Sequence, residues 1–276
     1  MKIIDGKKIR DEIKNNLIDE IKNLDEKLKL VVIQVGDNPA SDIYVRNKKK
    51  LCEETGIIFE HKKYDSIDEE TLIKEIEKLN NDEQVTGILV QLPLPKEINE
   101  TRVIEKIDYK KDVDGLTSKN IGNLYSKQRG IIPCTAYGIM KIFDYENIPL
   151  EGKNVVLIGR SKLVGIPLIS LLLNKNATVT ICHTKTKNIK EITKKADILI
   201  VAAGKKGLVT KDMINNNTII IDVGINREDG KIYGDVDKNV IESCNAITPV
   251  PGGVGPLTVI MLVNNVLECY KIQKDK

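Results

Sequence analysis

The chain has 276 residues, of which 41% are hydrophobic and 30% charged, so it can form two globular domains of ordinary size. Its net charge of +3, from 43 basic and 40 acidic residues, argues against the concentrated basic face of a nucleic-acid-binding protein. Its apolar runs are shorter than the ~20 residues of a membrane helix, and no signal-peptide core follows Met1, so no membrane partner is expected.

The first half of the chain predicts alternating helices and strands, from its apolar spacing and short apolar runs. The predicted helices are residues 9–24, 41–55 and 69–80, and the predicted strands are 30–35, 57–64 and 86–91. Leu92-Pro93-Leu94-Pro95 ends regular pairing after the third strand, because proline has no N–H to donate.

The second half repeats this alternation. Its predicted helices are residues 136–145, 166–173 and 258–270, and its predicted strands are 154–158, 178–182, 198–202 and 218–223. The whole pattern predicts an α/β fold with largely parallel sheets. We predict two domains with a cleft between them: residues 1–135 with a C-terminal helix 260–276 packing back, and residues 136–259.

The cysteines and histidines indicate neither disulfides nor a metal site. The five cysteines are scattered without a CxxC pair, and His61 and His183 are the only histidines. A reducing, cytoplasmic location is therefore expected.

A glycine-bearing turn follows the strand at 154–158 and precedes a helix. This is where a dinucleotide phosphate binds to helix N–H groups, and Gly159, Arg160, Ser161 and Gly165 are the candidate residues. The middle glycine of GxGxxG is absent, so an ordinary strand–helix turn is the alternative. The position after a strand favours cofactor binding.

The end of the next strand favours NADP over NAD. NAD enzymes place a carboxylate there for the ribose 2′-OH, whereas Cys182-His183-Thr184-Lys185-Thr186-Lys187 contains hydroxyls and lysines. These groups and Arg160 would attract a 2′-phosphate. The alternative is that the lysines only solvate a loop.

Three further segments carry polar side chains. Tyr44 and Lys48 lie on one face of a predicted helix, Gln91 ends a buried strand, and Asp112 and Asp114 lie in a glycine-bearing loop. Each segment alone is more simply explained as a polar surface or turn.

Together, these segments resemble the bifunctional methylenetetrahydrofolate dehydrogenase/cyclohydrolase family over nearly the whole chain. The matching stretches are, in order, Pro39-Ala40-Ser41 with Tyr44, Val45 and Lys48; Val90-Gln91-Leu92-Pro93-Leu94-Pro95; Lys111-Asp112-Val113-Asp114-Gly115; Pro133-Cys134-Thr135; Gly159-Arg160-Ser161 with Val164, Gly165 and Pro167; and Thr248-Pro249-Val250-Pro251-Gly252-Gly253-Val254-Gly255-Pro256.

The resemblance implies roles for four residues at a folate site. Lys48 would be the catalytic lysine, Gln91 would hold it, Tyr44 would position the folate, and Asp114 would bind the pterin N–H groups. It also implies a Rossmann-like second domain that binds NADP, with Arg160, Ser161, Thr184 and Ile225 at the cofactor and Pro251, Gly252 and Gly253 against the folate and nicotinamide.

Two residues depart from the family pattern. Ala136 replaces a usual proline, which affects rigidity at a helix start, and Thr184 replaces a frequent serine, whose hydroxyl it keeps.

The implied reaction has two steps at one site. Hydride passes from 5,10-methylenetetrahydrofolate to NADP, and water then adds to the methenyl cation to give 10-formyltetrahydrofolate. Our hypothesis is that Lys48 acts as a neutral amine in the second step, favoured by burial and by the adjacent cation.

Two other functions stay open. A single-activity dehydrogenase, with NAD as an alternative cofactor, would oxidise the substrate without hydrolysing the product. A non-catalytic nucleotide-binding module would bind cofactor without turnover. The resemblance also implies a homodimer.

Overall fold

The computed structural model describes residues 1–275, apart from the side chain of Ala40. Its strands are β1 (Lys2–Ile3), β2 (Lys29–Val35), β3 (Ile58–Tyr64), β4 (Gly87–Val90), β5 (Asn154–Ile158), β6 (Thr178–Cys182), β7 (Ile198–Val201), β8 (Ile219–Asp222), β9 (Asn226–Glu228), β10 (Lys231–Tyr233) and β11 (Ala246–Ile247). Its α-helices are α1 (Gly6–Lys22), α2 (Pro39–Glu54), α3 (Glu69–Asn81), α4 (Glu100–Ile104), α5 (Ser118–Tyr125), α6 (Cys134–Tyr145), α7 (Gly165–Asn174), α8 (Ile189–Thr193) and α9 (Val254–Lys274).

The chain forms two compact units. The six-stranded unit comprises Met1–Asp11 and Thr135–Thr258, and the three-stranded unit comprises Glu12–Cys134 and the C-terminal residues from Val259 onward. None of the helices within residues 1–275 is long and apolar enough to cross a membrane.

The three-stranded unit is built on a parallel sheet in the order β3-β2-β4. The central strand β2 is buried along nearly its whole length, as expected for a strand covered on both faces. Helix α3 packs its apolar stripe on this sheet, and its first turn is capped by Asp68, whose carboxylate accepts from Thr71 N at 2.9 Å. The shared core contains Val31, Ile33, Leu72, Ile76, Ile88, Val90, Val103 and Ile107.

The six-stranded unit has a parallel sheet in the order β1-β11-β8-β7-β5-β6. Strand order reverses at β5: β6 lies on one side of it, and β7, β8 and β11 follow on the other. In an open parallel sheet, the crevice at the carboxyl ends of the strands beside such a reversal is the usual ligand site. An antiparallel pair, β9 and β10, follows β8.

The N-terminal segment differs from the prediction. We predicted residues 1–135 as one domain, whereas Met1–Asp11 cluster with the six-stranded unit. The physical reason is backbone pairing, because β1 adds to the sheet edge with Lys2 opposite Ala246 and Ile3 opposite Ile247. A two-residue strand is too short to produce a recognisable alternation in sequence.

The last helix also begins earlier than predicted. We expected it at residue 258 after a proline- and glycine-rich loop, but α9 starts at Val254 and includes Pro256 in its first turn. Proline is tolerated there, because the first N–H groups of a helix have no intrahelical partner. The short elements β1, α4, α5, α8, β9, β10 and β11 were not predicted either.

Candidate active site

A lysine and a glutamine from neighbouring elements are joined by a hydrogen bond. Lys48, half-buried on α2, donates from Nζ to Oε1 of Gln91 at 2.9 Å. Gln91 follows β4 directly, and its Nε2 donates to the carbonyl of Leu92 at 2.7 Å. This second bond fixes which way the amide points, so its oxygen faces the amine. Tyr44 lies one turn before Lys48 on α2 and is 38% exposed.

Asp114 lies in a loop whose neighbours are held by buried polar groups. Lys111 Nζ donates to the carbonyls of Leu79 and Asp82 at 3.1 and 2.7 Å, which ties the loop to the end of α3. Asp112, also buried, accepts from Thr117 N at 2.8 Å and from Asn120 Nδ2 at 3.0 Å. The backbone around Asp114 is therefore anchored on both sides.

The charge of Asp114 depends on its burial and on its neighbours, which include the negative charge of Asp112. Burial raises the pKa of the Asp114 carboxyl, whereas the positive charge of Lys48 and a hydrogen bond from Cys134 lower it. The Cys134 Sγ lies 3.6 Å from Asp114 Oδ1. Burial and the nearby carboxylate raise the pKa of the Cys134 thiol well above its usual value, so Cys134 is a protonated donor at neutral pH. The structure thus groups Lys48, Gln91 and Asp114.

Two amide side chains of α9 contact the same loop, and sequence reasoning missed both. Asn265 donates to the carbonyls of Val113 and Ile132, and Gln273 donates to the carbonyls of Thr86 and Lys110. An asparagine within an apolar helix gives no sequence signal for such a role. Its partners become visible only when segments far apart in the chain are brought together.

The strand reversal of the six-stranded unit carries the predicted glycine turn. Gly159 follows β5 with a φ of +125°, and a Cβ added there would overlap the carbonyl of Ala202, which follows β7. A Cβ on Gly165, the first residue of α7, would lie 2.6 Å from Gly159 O. Only glycine allows these backbones to approach so closely. Close backbone packing in a strand–turn–helix segment is typical of phosphate binding at a helix N-terminus.

Polar side chains surround this turn. Arg160 and Ser161 are exposed within it, and the Ser161 Oγ accepts from Val164 N at 3.2 Å. Thr184 is exposed in the turn after β6, which is closed by His183 N donating to Thr186 Oγ1 at 2.8 Å. Both turns lie at carboxyl ends of adjacent parallel strands, hence at the same edge of the sheet.

Ile225 follows β8 at the same edge and is 49% exposed. Its loop is held by two buried aspartates that the sequence did not single out. Asp222 accepts from the backbone N–H groups of Gly224, Asp235 and Val236. Asp235 accepts from Ala203, Gly204 and Lys205 N and from Asn226 Nδ2, which links the loops after β7 and β8.

The loop Pro251-Gly252-Gly253 follows β11. Gly252 has a φ of +110°, and the Val250–Pro251 peptide is cis. A Cβ on Gly6, the first residue of α1, would overlap the carbonyl of Gly253. The N-terminal segment therefore supports this loop by direct backbone contact.

Comparison with known proteins gives the family. A family model described as tetrahydrofolate dehydrogenase/cyclohydrolase, catalytic domain, matches residues 4–114, and one described as tetrahydrofolate dehydrogenase/cyclohydrolase, NAD(P)-binding domain, matches residues 133–274. The chain belongs to the tetrahydrofolate dehydrogenase/cyclohydrolase family. This confirms the resemblance read from the motifs and the α/β fold with catalytic and NAD(P)-binding domains.

Relatives of this dehydrogenase/cyclohydrolase match over nearly their full length. A protein called bifunctional protein FolD from Bacillus cytotoxicus is 49% identical over 275 residues, covering 98% of this chain and 96% of that protein. The crystal structure of bifunctional FolD from Campylobacter jejuni has 45% identity and a TM-score of 0.97, with 99% of each chain covered.

A more distant relative was solved with its cofactor. FolD from Trypanosoma brucei, in complex with NADP and an inhibitor, is 34% identical with a TM-score of 0.92, covering 99% of this chain and 98% of that one.

The family models and the compact units divide the chain differently at its C-terminus. The NAD(P)-binding model extends to residue 274, whereas residues from Val259 onward cluster with the three-stranded unit. In this dehydrogenase/cyclohydrolase, most of α9 is therefore structurally part of the unit that holds Lys48 and Asp114.

Proposed function

We propose that the chain oxidises 5,10-methylenetetrahydrofolate with NADP and hydrolyses the resulting methenyl form to 10-formyltetrahydrofolate. The three-stranded unit would bind the folate, and the six-stranded unit would bind the cofactor. The observation that carries the proposal is the 2.9 Å hydrogen bond from Lys48 to Gln91, with Asp114 close enough for the lysine charge to act on it.

The six-stranded unit fits a nicotinamide dinucleotide. At Gly159 and Gly165 the backbones approach their neighbours too closely for a side chain, an arrangement typical of a pyrophosphate-binding turn at a helix N-terminus, here that of α7. When bound, the cofactor accepts hydride. Arg160, Ser161 and Thr184 would bind its phosphates, and Ile225 would provide an apolar contact. The absence of a carboxylate from residues 182–187 favours NADP over NAD.

Lys48 is the proposed group that moves a proton. Water adding to the methenyl carbon must lose a proton, and Nζ of Lys48 would accept it after losing its own proton, and with it its positive charge, beside the methenyl cation. Gln91 holds that nitrogen through its oxygen, and its own orientation is set by Leu92. Since the amide stays in place, the amine is presented in one position rather than sampling many rotamers.

Asp114 is the proposed binding group for the pterin. An ionised carboxylate accepts two N–H donors side by side, which matches the amino and ring N–H groups of a pterin. Its side chain is only partly exposed, so its hydrogen bonds to a ligand would be well shielded from water. Tyr44, exposed one turn from Lys48, would contact the folate, as would Pro251, Gly252 and Gly253.

A two-signal assay tests the activity. Purified protein is mixed with methylenetetrahydrofolate and either NADP or NAD, following reduced cofactor and the methenyl absorbance separately. Reduced cofactor with no lasting methenyl accumulation is expected with NADP, and a lower kcat/KM with NAD. Accumulation of methenyl product at the uncatalysed decay rate would instead indicate a single-activity dehydrogenase.

Replacing Lys48 by Met separates the two steps. Lys48→Met should fold normally and lose methenyl hydrolysis by about 100-fold or more, the usual size of acid–base catalysis. Lys49→Met is the matched control, since Lys49 is the next residue on α2 and its side chain is 55% exposed. Wild-type methenyl hydrolysis in Lys48→Met would remove Lys48 from the mechanism.

We further propose that the enzyme is a cytoplasmic homodimer. All five cysteines are free and buried among the described residues, which fits a reducing compartment. Light scattering after size-exclusion chromatography should give twice the mass of the chain, and a monomer mass at micromolar concentration would refute the dimer.

A further inference from the structure

One buried asparagine of α9 contacts both backbone segments beside Asp114. Asn265, which is 1% exposed, donates from Nδ2 to the carbonyl of Val113 at 2.8 Å and to that of Ile132 at 2.9 Å. Val113 directly precedes Asp114, and Ile132 belongs to the segment that leads into Cys134. A single amide therefore joins the two chain segments that support the carboxylate.

The same amide reaches the thiol that contacts Asp114. Asn265 Nδ2 lies 3.4 Å from Cys134 Sγ, and that sulfur lies 3.6 Å from both Val113 O and Asp114 Oδ1. Because the thiol is protonated, it can donate to the carboxylate, while the amide donates to the sulfur. Asn265, Cys134 and Asp114 thus form a continuous chain of polar contacts within the three-stranded unit.

We propose that Asn265 is a positioning residue that acts through Cys134 and Val113 to set the orientation and charge of Asp114. The inference rests on the proposed folate-binding role of Asp114. A donor to Oδ1 stabilises the ionised carboxylate and fixes its rotation, and the ionised form is the one that accepts pterin N–H groups. The C-terminal helix therefore contributes to substrate binding without touching substrate.

Deleting the Asn265 amide would remove hydrogen bonds to two backbone carbonyls. Removing it leaves the partly buried carbonyl of Ile132 without the donor it has now, and the carbonyl of Val113 with only the weak thiol, whose single proton also faces Asp114. The two segments can then shift relative to each other, and the thiol loses the contact that holds it against Asp114. Folate affinity should respond before cofactor affinity does, because the cofactor residues lie in the other unit.

Four variants and a reference test the proposal. Asn265→Ala deletes the amide, and Asn264→Ala is its matched control, since Asn264 is the preceding residue of α9 and its buried Nδ2 has no hydrogen-bond partner among the described residues. Cys134→Ala deletes the thiol donor, whereas Cys134→Ser keeps a donor. Asp114→Ala is the reference for loss of the carboxylate. The readouts are KM for folate, KM for NADP, kcat and thermal midpoint.

The expected pattern separates KM from kcat. Asn265→Ala should raise the folate KM about tenfold, and Cys134→Ala about threefold, the range expected for lost hydrogen bonds. Asn264→Ala and Cys134→Ser should stay near wild type, and NADP KM and kcat should be unchanged in all four Asn264, Asn265 and Cys134 variants. The pH below which folate binding is lost should also move upward in Asn265→Ala and Cys134→Ala, because each removes a contact that favours the charged Asp114.

Different results would contradict the inference and the proposed folate site. If Asp114→Ala raises the folate KM while Asn265→Ala and Cys134→Ala lower only the thermal midpoint, Asn265 is merely structural and the inference is wrong. If Asp114→Ala itself keeps the wild-type folate KM, the proposed folate site fails first. Should Asn265→Ala not fold, the comparison of Cys134→Ala with Cys134→Ser decides: equal folate KM values overturn the proposal.

Discussion

Asp114 shows how burial and neighbouring charge act against each other at one residue. Burial raises the pKa of its carboxyl, and Lys48 and the Cys134 thiol oppose that rise. The proposed ligand contacts need the charged form, so binding and protonation of Asp114 exclude each other. The direction of the shift therefore predicts how folate affinity depends on pH.

Folate binding should weaken on acidification at a higher pH than a free aspartate would allow. Free aspartate titrates near ~3.9, and the pKa of Asp114 is raised above that value. Titration with a non-reactive folate analogue from neutral pH downward should show this loss before the pH at which a free aspartate titrates. Asp114→Asn should bind weakly with no such pH dependence, whereas Asp65→Asn, an exposed control, should keep it. A flat wild-type profile would contradict the assignment.

Motif order was sufficient to predict the residues that form the lysine–glutamine–aspartate group. Lys48 lies in a predicted helix, Gln91 ends a predicted strand and Asp114 lies in a predicted loop, and the structure groups them. Their roles stay predictions. Asn265 could not be found this way, because its partners, the carbonyls of Val113 and Ile132, are backbone atoms that carry no sequence signature.

Whether the turn between β5 and α7 is a dinucleotide site depends on how the strands are arranged around it. Its sequence lacks the middle glycine of GxGxxG, so the motif alone could not establish a dinucleotide site. The sheet order adds what the motif lacks: β5 and β7 are neighbours at the strand reversal, and Gly159 meets Ala202 there. Two family models now confirm the predicted enzyme class and its nicotinamide cofactor.

A methyl group at Gly159 should disrupt cofactor binding. Gly159→Ala places a Cβ into the carbonyl of Ala202 at a φ of +125°, so one of the two loops must move. NADP affinity should fall at least about tenfold, equivalent to ~1.4 kcal/mol. Gly152→Ala is the control, since Gly152 also has a positive φ, +69°, but nothing lies within 4 Å of the added carbon.

The control Gly152→Ala introduces backbone strain, from its positive φ, but no steric overlap. Gly152→Ala should therefore lose about 1 kcal/mol of stability, the usual cost of an L-residue in that conformation, and keep its NADP affinity in calorimetric titration. Equal loss of NADP affinity in both variants would show that general destabilisation, and not the turn at β5, limits binding.

At the scale of the whole molecule, secondary-structure type was predictable and connectivity was not. The apolar periodicity of residues 9–24 and 69–80 predicted helices that the structure contains as α1 and α3. The placement of Met1–Asp11 in the six-stranded unit and of α9 from Val259 onward in the other depends on long-range packing. Such packing depends on which apolar faces meet, and local periodicity does not specify that.

Two buried aspartates link the loops of the six-stranded unit, and the shifted pKa of one of them, Asp222, predicts that the stability of this unit depends on pH. Burial raises the pKa of Asp222 to about 6, against three backbone N–H donors that lower it, while the charge of Asp235 raises it further. The folded state therefore binds a proton more tightly than the unfolded state, whose aspartate titrates near ~3.9. The stabilising contribution is present below the unfolded pKa and is lost as pH rises through the folded one.

Wild-type stability should therefore fall relative to Asp222→Asn between pH ~4 and pH ~7, by up to about 3 kcal/mol for a shift of roughly two units. The variant lacks the titrating group, so its own hydrogen-bond loss is a constant offset. Scanning calorimetry at several pH values, which resolves the transitions of separate units, measures the difference. Asp144→Asn, an exposed site in the same unit, should leave the wild-type pH profile unchanged. A constant gap between wild type and Asp222→Asn across this range would show that the three N–H donors outweigh burial, and that Asp222 is ionised throughout.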